Sequence, residues 1–216
     1  MCKMKMCKMK NRIVTFLFVA AAMQTSLSCS PRNPETNAAI ATDTGVHSAA
    51  SSGSIYDVKL ALDNQNGEKV EWQSLRGKIR VMAMVFTHCP SACPIITLQI
   101  KSAESRIPAS AHGKVDYTLI SFDAKRDTAA RLREFYKEQH LDTNWQLLHG
   151  SADDVRTIAA LLNVQYKEWP GGDFTHSDVT FVIDSNGHIV LRQEGIALQN
   201  PEVVAHAVTA LLKTAF

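Results

Sequence analysis

Two cysteines four residues apart, Cys89 and Cys93, stand in the stretch Phe86-Thr87-His88-Cys89-Pro90-Ser91-Ala92-Cys93-Pro94. They lie between an almost continuous apolar run, Ile79 to Phe86, and a segment of helical spacing with Pro94 in its first turn. A helix N-terminus stabilises negative charge, so thiolates are favoured over thiols there. A spacing of four returns the second side chain to nearly the same side as the first once the backbone coils. Both sulfurs can then reach one metal ion, or each other. The plainer alternative is two small buried residues filling space. Two thiolates alone under-coordinate a metal, so a third ligand must come from elsewhere, and the histidines are the candidates.

Of the eight histidines, His47 falls in a polar stretch, and His112, His140 and His149 lie at element ends among polar residues, where solvation is the expected state. His188 sits beside a turn and His206 within the last helix. His88 adjoins Cys89, but neighbours on an extended chain point opposite ways. His176 follows the Gly171-Gly172 loop, precedes the strand starting at Val179, and has Thr175 and Ser177 beside it. Spacing alone leaves it between an exposed loop side chain and a ligand.

The elements that must position these groups alternate. Tyr56, Val58, Leu60 and Leu62 alternate with polar residues and predict a strand. Asn66-Gly67 then signals a hairpin into Val70 and Trp72. Ile79 to Phe86 reads as a strand covered on both faces, and Ile96, Ile100, Ala103 and Ile107 as one stripe of the following helix. Val115 to Phe122 is the next strand, 127–139 a helix burying Leu132, Phe135 and Tyr136, and Trp145 to Leu148 a short strand. Val155, Ile158, Ala159 and Leu162 mark another helix, capped by Ser151 or Asp153. Val179 to Ile183 and Ile189 to Leu191 flank Asn186-Gly187, a second hairpin signal. Asn200 caps a last helix that starts at Pro201 and buries Val204, Val208 and Leu211. The pattern predicts an α/β fold, a mixed central sheet between helices.

The start of the 216-residue chain reads as an address. Lys3, Lys5, Lys8, Lys10 and Arg12 precede an uncharged apolar run at 13–23, and the first acid is Glu35. Eleven apolar residues are too few to span a bilayer, which takes about 20; the pattern is that of a secretory signal over residues 1–28. The run ends in Ser-Leu-Ser-Cys, which places Cys29 where a bacterial lipoprotein carries its lipidated cysteine, with plain cleavage near Ser28 as the alternative. Residues 29–54 have no aromatic and few bulky apolar side chains, a composition that predicts a flexible tether with an end-to-end distance of about 25–30 Å. The folded domain is then 55–216. Losing the leader takes away five basic and no acidic side chains, leaving 18 against 21 and a net charge of −3. That body shows no electrostatic footprint for nucleic acid. Cys2, Cys7 and Cys29 belong to the leader or its end, so Cys89 and Cys93 are the only thiols of the body, too few for a disulfide-stapled fold.

The body resembles the SCO/SenC family of copper proteins, which assist assembly of the copper centre of cytochrome c oxidase. The residues that carry the likeness are Gly77-Lys78 before the apolar strand and Thr87 to Pro94 in the place of the family's T-x-C-P-x-x-C-P. They continue with Phe122-Asp123, Arg126-Asp127-Thr128, His176-Ser177, Phe181-Val182-Ile183-Asp184 and Asn186-Gly187. The resemblance implies a thioredoxin-like fold with an extra N-terminal β-hairpin, and a copper site formed by Cys89, Cys93 and His176. The family usually has Asp-Val between its cysteine-proline pairs; Ser91-Ala92 here removes a carboxylate but no ligand. Two thiolates and an imidazole suit Cu(I), and with an added ligand Cu(II); zinc would also accept them.

The leading expectation is a metallochaperone on the periplasmic face of a bacterial membrane, lipid-anchored through Cys29. It would receive copper from another periplasmic carrier and deliver it to the copper-bearing subunit of cytochrome c oxidase. The alternative is a thiol–disulfide oxidoreductase in which Cys89 and Cys93 are the catalytic redox thiols without an obligatory metal. The C-x-x-x-C spacing and the lack of a proline just before Val179 separate the chain from general thioredoxins. A peroxiredoxin, whose peroxidatic motif Thr87-x-Cys89 resembles, leaves Cys93 and His176 without a role.

Overall fold

The computed structural model describes residues 53–196 and 199–215. Cys29, the leader and nearly all of the expected tether lie outside them. Among the described residues are four helices and nine strands, and the helices and seven of the strands follow the predicted alternation. The strands are β1 (Ala61–Asn64), β2 (Lys69–Glu71), β3 (Ile79–Val85), β4 (Val115–Ser121), β5 (Trp145–His149), β6 (Tyr166–Glu168), β7 (Phe174–His176), β8 (Val179–Ile183) and β9 (Ile189–Glu194). The helices are α1 (Ala92–Glu104), α2 (Ala129–Glu138), α3 (Ala152–Leu161) and α4 (Pro201–Ala215). Seven strands form one mixed sheet in the order β2-β1-β5-β4-β3-β8-β9, and β6 and β7 form a separate two-stranded sheet. Parallel pairing joins β3 to β4 and β4 to β5, and every other pair is antiparallel.

The centre is built as its composition demands. Every residue of β3 and β8 is buried, which is why β3 reads as an almost continuous apolar run rather than an alternating one. Arg80 is the exception inside β3. It is 4% exposed, and it donates to Thr118 Oγ1 at 2.7 Å and to Asp116 at 3.2 Å. Ile96, Ile100 and Ala103 of α1 are buried, and Ile107 joins the core just past the helix end. Lys101 of α1 donates to the carbonyls of Gln139 and His140 at the end of α2. Ser151 and Asp154 form a reciprocal capping box on α3, and Asn200 Oδ1 accepts from the Glu202 N–H at the start of α4.

Three expectations are corrected. Tyr56 does not sit in a strand: Ile55–Asp57 is a 3-10 turn, and the alternating segment pairs only from Ala61. The cause is tertiary. Tyr56 packs edge-on to Trp72 with ring centroids 5.7 Å apart, and Trp72 Nε1 donates to Ile55 O at 2.7 Å. Trp72 itself opens a 3-10 turn after a short β2. Residues 166–176, read as loop, form the β6–β7 hairpin. The N-terminal β1–β2 hairpin and the turn at Gly187, with φ +94, are as expected.

Register fixes which ends of the strands meet. Ala83 of β3 lies opposite Thr180 of β8, and Val85 opposite Ser121 of β4. The end of β3, the end of β4 and the start of β8 therefore open at one edge of the molecule, where α/β sheets place their ligands.

Candidate metal centre

The turn after β3 brings Cys89 to the start of α1. The first turn of a helix leaves four N–H groups without intrahelical partners. Here Ser91, at the N-cap, makes no side-chain cap bond. The Cys89 sulfur takes over that role and accepts from the Cys93 N–H at 3.4 Å. The Cys93 sulfur in turn accepts from the Phe86 N–H at 3.4 Å. Cys93 is fully buried and Cys89 is 9% exposed, and both are free thiols. A hydrogen bond from the Cys93 thiol, helped by the N–H groups of Cys93, Ser91 and Ala92, lowers the Cys89 pKa to about 5 against the cost of burial. The same bond and deeper burial push the Cys93 thiol far up. The contact thus makes Cys89 the more acidic and Cys93 the less acidic of the two sulfurs.

His176 ends β7, opposite Tyr166 of β6. Its side chain is 5% exposed. The ring lies 4.9 Å from the Phe122 ring and stands edge-on to Phe86 at 6.0 Å. Phe86, Phe122 and Phe174 contact one another at 5.1–5.3 Å, an aromatic cluster against which the imidazole packs. One ligand atom from each of Cys89, Cys93 and His176 lies within 4.8 Å of the other two. Ligands about 2.0–2.3 Å from a common ion lie at most about 4.6 Å apart, so closure needs only small movement. Two soft sulfurs and an imidazole fit Cu(I), and by donor type they also fit Zn(II).

The hairpin is held where the site needs it. Gly171 and Gly172 at its tip have φ of +108 and +86, and a Cβ on Gly172 would stand 2.8 Å from Arg126 Nη1. Arg126 donates to Gly172 O and to Asp123 and lies over the Phe174 ring at 5.9 Å. Lys125 pairs with Glu168 at 2.7 Å. The loop between β4 and α2 thus grips the strands that deliver His176.

The same loop grips the cysteine turn. Asp127, whose side chain is fully buried, accepts from the Thr87 N–H at 2.9 Å, from Thr87 Oγ1 at 2.5 Å and from Ser121 Oγ at 2.6 Å. Arg131 Nε donates to Thr87 Oγ1 at 3.0 Å. His88 is exposed and faces Asp127 at 3.3 Å. His88, Asp123 and Asp127 also draw together, but those carboxylates are engaged by hydrogen bonds, and the cluster acts as a latch.

Comparison with known proteins settles the lineage. The sequence profile of SCO1/SenC matches residues 49–213. The chain belongs to the SCO1/SenC family. A SCO1 homologue of Arabidopsis thaliana, a mitochondrial protein, is 30% identical over 107 residues, covering 50% of this chain and 31% of that one. A SCO2-like protein of Rickettsia felis is 33% identical over 133 residues, covering 58% and 63%. The matches thus span about a third and just under two thirds of these relatives. The crystal structure of Arabidopsis thaliana ScoI with copper bound superposes with a TM-score of 0.65 at 23% identity, covering 73% of this chain and 98% of that one. That likeness is one of fold, and it makes the mixed α/β architecture with its N-terminal hairpin the thioredoxin-like SCO fold.

All three sequence candidates in the body meet at one place. Of the other described histidines, His149 is half-buried rather than solvated, with its Nε2 unpartnered among the described residues and its pKa lowered mainly by burial. His112, His140, His188 and His206 are exposed. Sequence reasoning missed Asp178, whose Oδ1 lies 3.3 Å from His176 Nδ1. A carboxylate two residues after a candidate ligand was the one available signal. It also gave no role to Arg126, Asp127 and Arg131 beyond motif membership, because their partners are about 40 residues distant.

Proposed function

We propose that this SCO1/SenC protein is a copper chaperone. It takes Cu(I) between Cys89, Cys93 and His176 and delivers it to the copper-bearing subunit of cytochrome c oxidase, with another periplasmic copper carrier as donor. In this reading it works at the periplasmic face of a bacterial membrane, anchored by a lipid on Cys29. The observation that carries the proposal is the approach of two sulfurs and an imidazole to within 4.8 Å, at the edge of the sheet where the ends of β3 and β4 and the start of β8 meet. Similarity to a Stutzerimonas stutzeri protein described as copper-binding supports it. The reduced protein should bind one Cu(I) per chain, and Cys89→Ala or Cys93→Ala should abolish tight binding, read by competition with a Cu(I) chelator. Full affinity in either variant would refute the site.

The acidified Cys89 thiol favours a second reading, thiol–disulfide exchange. The Cys89 thiolate would attack a partner disulfide, forming a mixed disulfide and releasing one partner thiolate. Cys93 would then lose its proton and attack Cys89, closing the Cys89–Cys93 disulfide and freeing the reduced partner. His176→Ala separates the two roles. Two thiolates can still hold d¹⁰ Cu(I) linearly, whereas Cu(II) prefers nitrogen and oxygen donors. The variant should keep measurable Cu(I) binding and a reducible disulfide, and lose the thiolate-to-Cu(II) charge-transfer absorption. Visible and EPR spectra identical to wild type would remove His176 from the ligand set.

A further inference from the structure

His176 Nδ1 faces two oxygens, the Ser177 carbonyl at 3.3 Å and Asp178 Oδ1 at 3.3 Å. Both are acceptors, a carbonyl always and a carboxylate when ionised, so the arrangement is satisfied only when Nδ1 carries the proton. In a neutral ring the lone pair then belongs to Nε2. Asp178 Oδ1 is buried and has no hydrogen-bond partner among the described residues, which leaves the imidazole as the polar group it meets. The Asp178 backbone is pinned, since its carbonyl accepts from the Gly195 N–H at 2.8 Å and from Gln199 Nε2 at 3.2 Å. The ring is equally constrained by Phe86 and Phe122. Asp178 is not one of the three residues whose ligand atoms converge within 4.8 Å; its charge acts on both sulfurs from a distance, and His176 is the ligand it faces directly.

We propose that Asp178 is the positioning residue of the centre: its carboxylate holds His176 in the Nδ1–H form and offers Nε2 to the ion that the two sulfurs share. A carboxylate behind a ligating imidazole fixes the ring's orientation and raises its basicity, and loss of such a partner weakens metal binding about 10–100-fold. The metal half of this proposal rests on the copper reading given above, whereas the tautomer half needs no metal.

The test begins without copper. In the reduced, metal-free, 15N-labelled full-length protein, long-range 1H–15N correlation should show His176 as the Nδ1–H tautomer. Asp178→Ala should shift it toward the Nε2–H form that free imidazole side chains favour, while Asp178→Asn, which keeps an acceptor oxygen, should retain Nδ1–H. An Nε2–H ring in the wild type, or an unchanged tautomer in a folded Asp178→Ala, would overturn the proposal. If Asp178→Ala does not fold, the wild-type tautomer and Asp178→Asn still decide it. With Cu(II) added, Asp178→Ala should bind about 10–100-fold more weakly, and the remote-nitrogen signal in pulsed EPR should change in Asp178→Asn. Unchanged affinity and remote-nitrogen signal would refute the metal half. A wild type that shows the tautomer but binds no copper would instead refute the copper reading and leave the positioning role standing.

Discussion

At the scale of the residue, the site is an asymmetric pair. Cys89 receives a hydrogen bond from Cys93 and the N–H groups at the start of α1, so ionisation is favoured at the more accessible sulfur. Its folded pKa of about 5 lies below the usual thiol value. The ionised form is therefore stabilised by folding, and that stability is fully present above the ordinary thiol pKa and is lost as pH falls through about 5. Alkylation of the reduced, metal-free protein by iodoacetamide should rise as pH climbs through about 5 and then level off, with Cys89 modified before Cys93. A rate that rises only near pH 8–9 would mean an ordinary thiol at position 89. The two cysteines were legible because four positions in sequence are also neighbours in space. His176 was not legible by spacing, since 83 residues separate it from Cys93 and only the family likeness singled it out. Asp178 left only its place two residues after His176, and the grip of Asp127 on Thr87 left no local trace, because that pair, 40 positions apart, depends on which strand ends meet.

At the scale of the element, the centre depends on a hairpin whose strands are three residues each. Such strands are too short to show a period of two, which explains why 166–176 read as loop. The long buried strands and the capped helices were legible because burial on both faces and end chemistry repeat along them. The weak hairpin persists because Arg126 and Lys125 hold it from the β4–α2 loop. Gly172 is the hairpin's constrained point, with a positive φ that strains any other residue and a Cβ position 2.8 Å from Arg126 Nη1, which would have to shift. Gly172→Ala should cost about 1–3 kcal/mol locally and disturb the Arg126 contact. The expected outcome is weaker copper binding with a nearly unchanged far-UV spectrum, read by Cu(I) competition and circular dichroism. Equal affinity in the variant would show that His176 does not need this hairpin geometry.

At the scale of the whole molecule, the proposed lipid anchor predicts that the processed wild type partitions with membranes and carries lipid mass on Cys29. Cys29→Ser should release it or block processing, measured by fractionation and intact mass. A wholly soluble, unmodified wild type would leave plain secretion as the route. The described chain enters the fold far from its reactive groups. Ser54 Oγ donates to Asn186 O at 2.6 Å and the Ile55 N–H to Gly187 O at 2.9 Å, both at the turn beyond Ile183. The cysteines begin beyond Val85, and β3 and β8 run antiparallel. Entry and chemistry therefore occupy opposite poles, separated by about 20 Å of strand. The first described residues are thus pinned at the pole of the domain opposite the two sulfurs and the imidazole, so a load applied at Ser54 reaches the copper ligands only through the full length of the central strands.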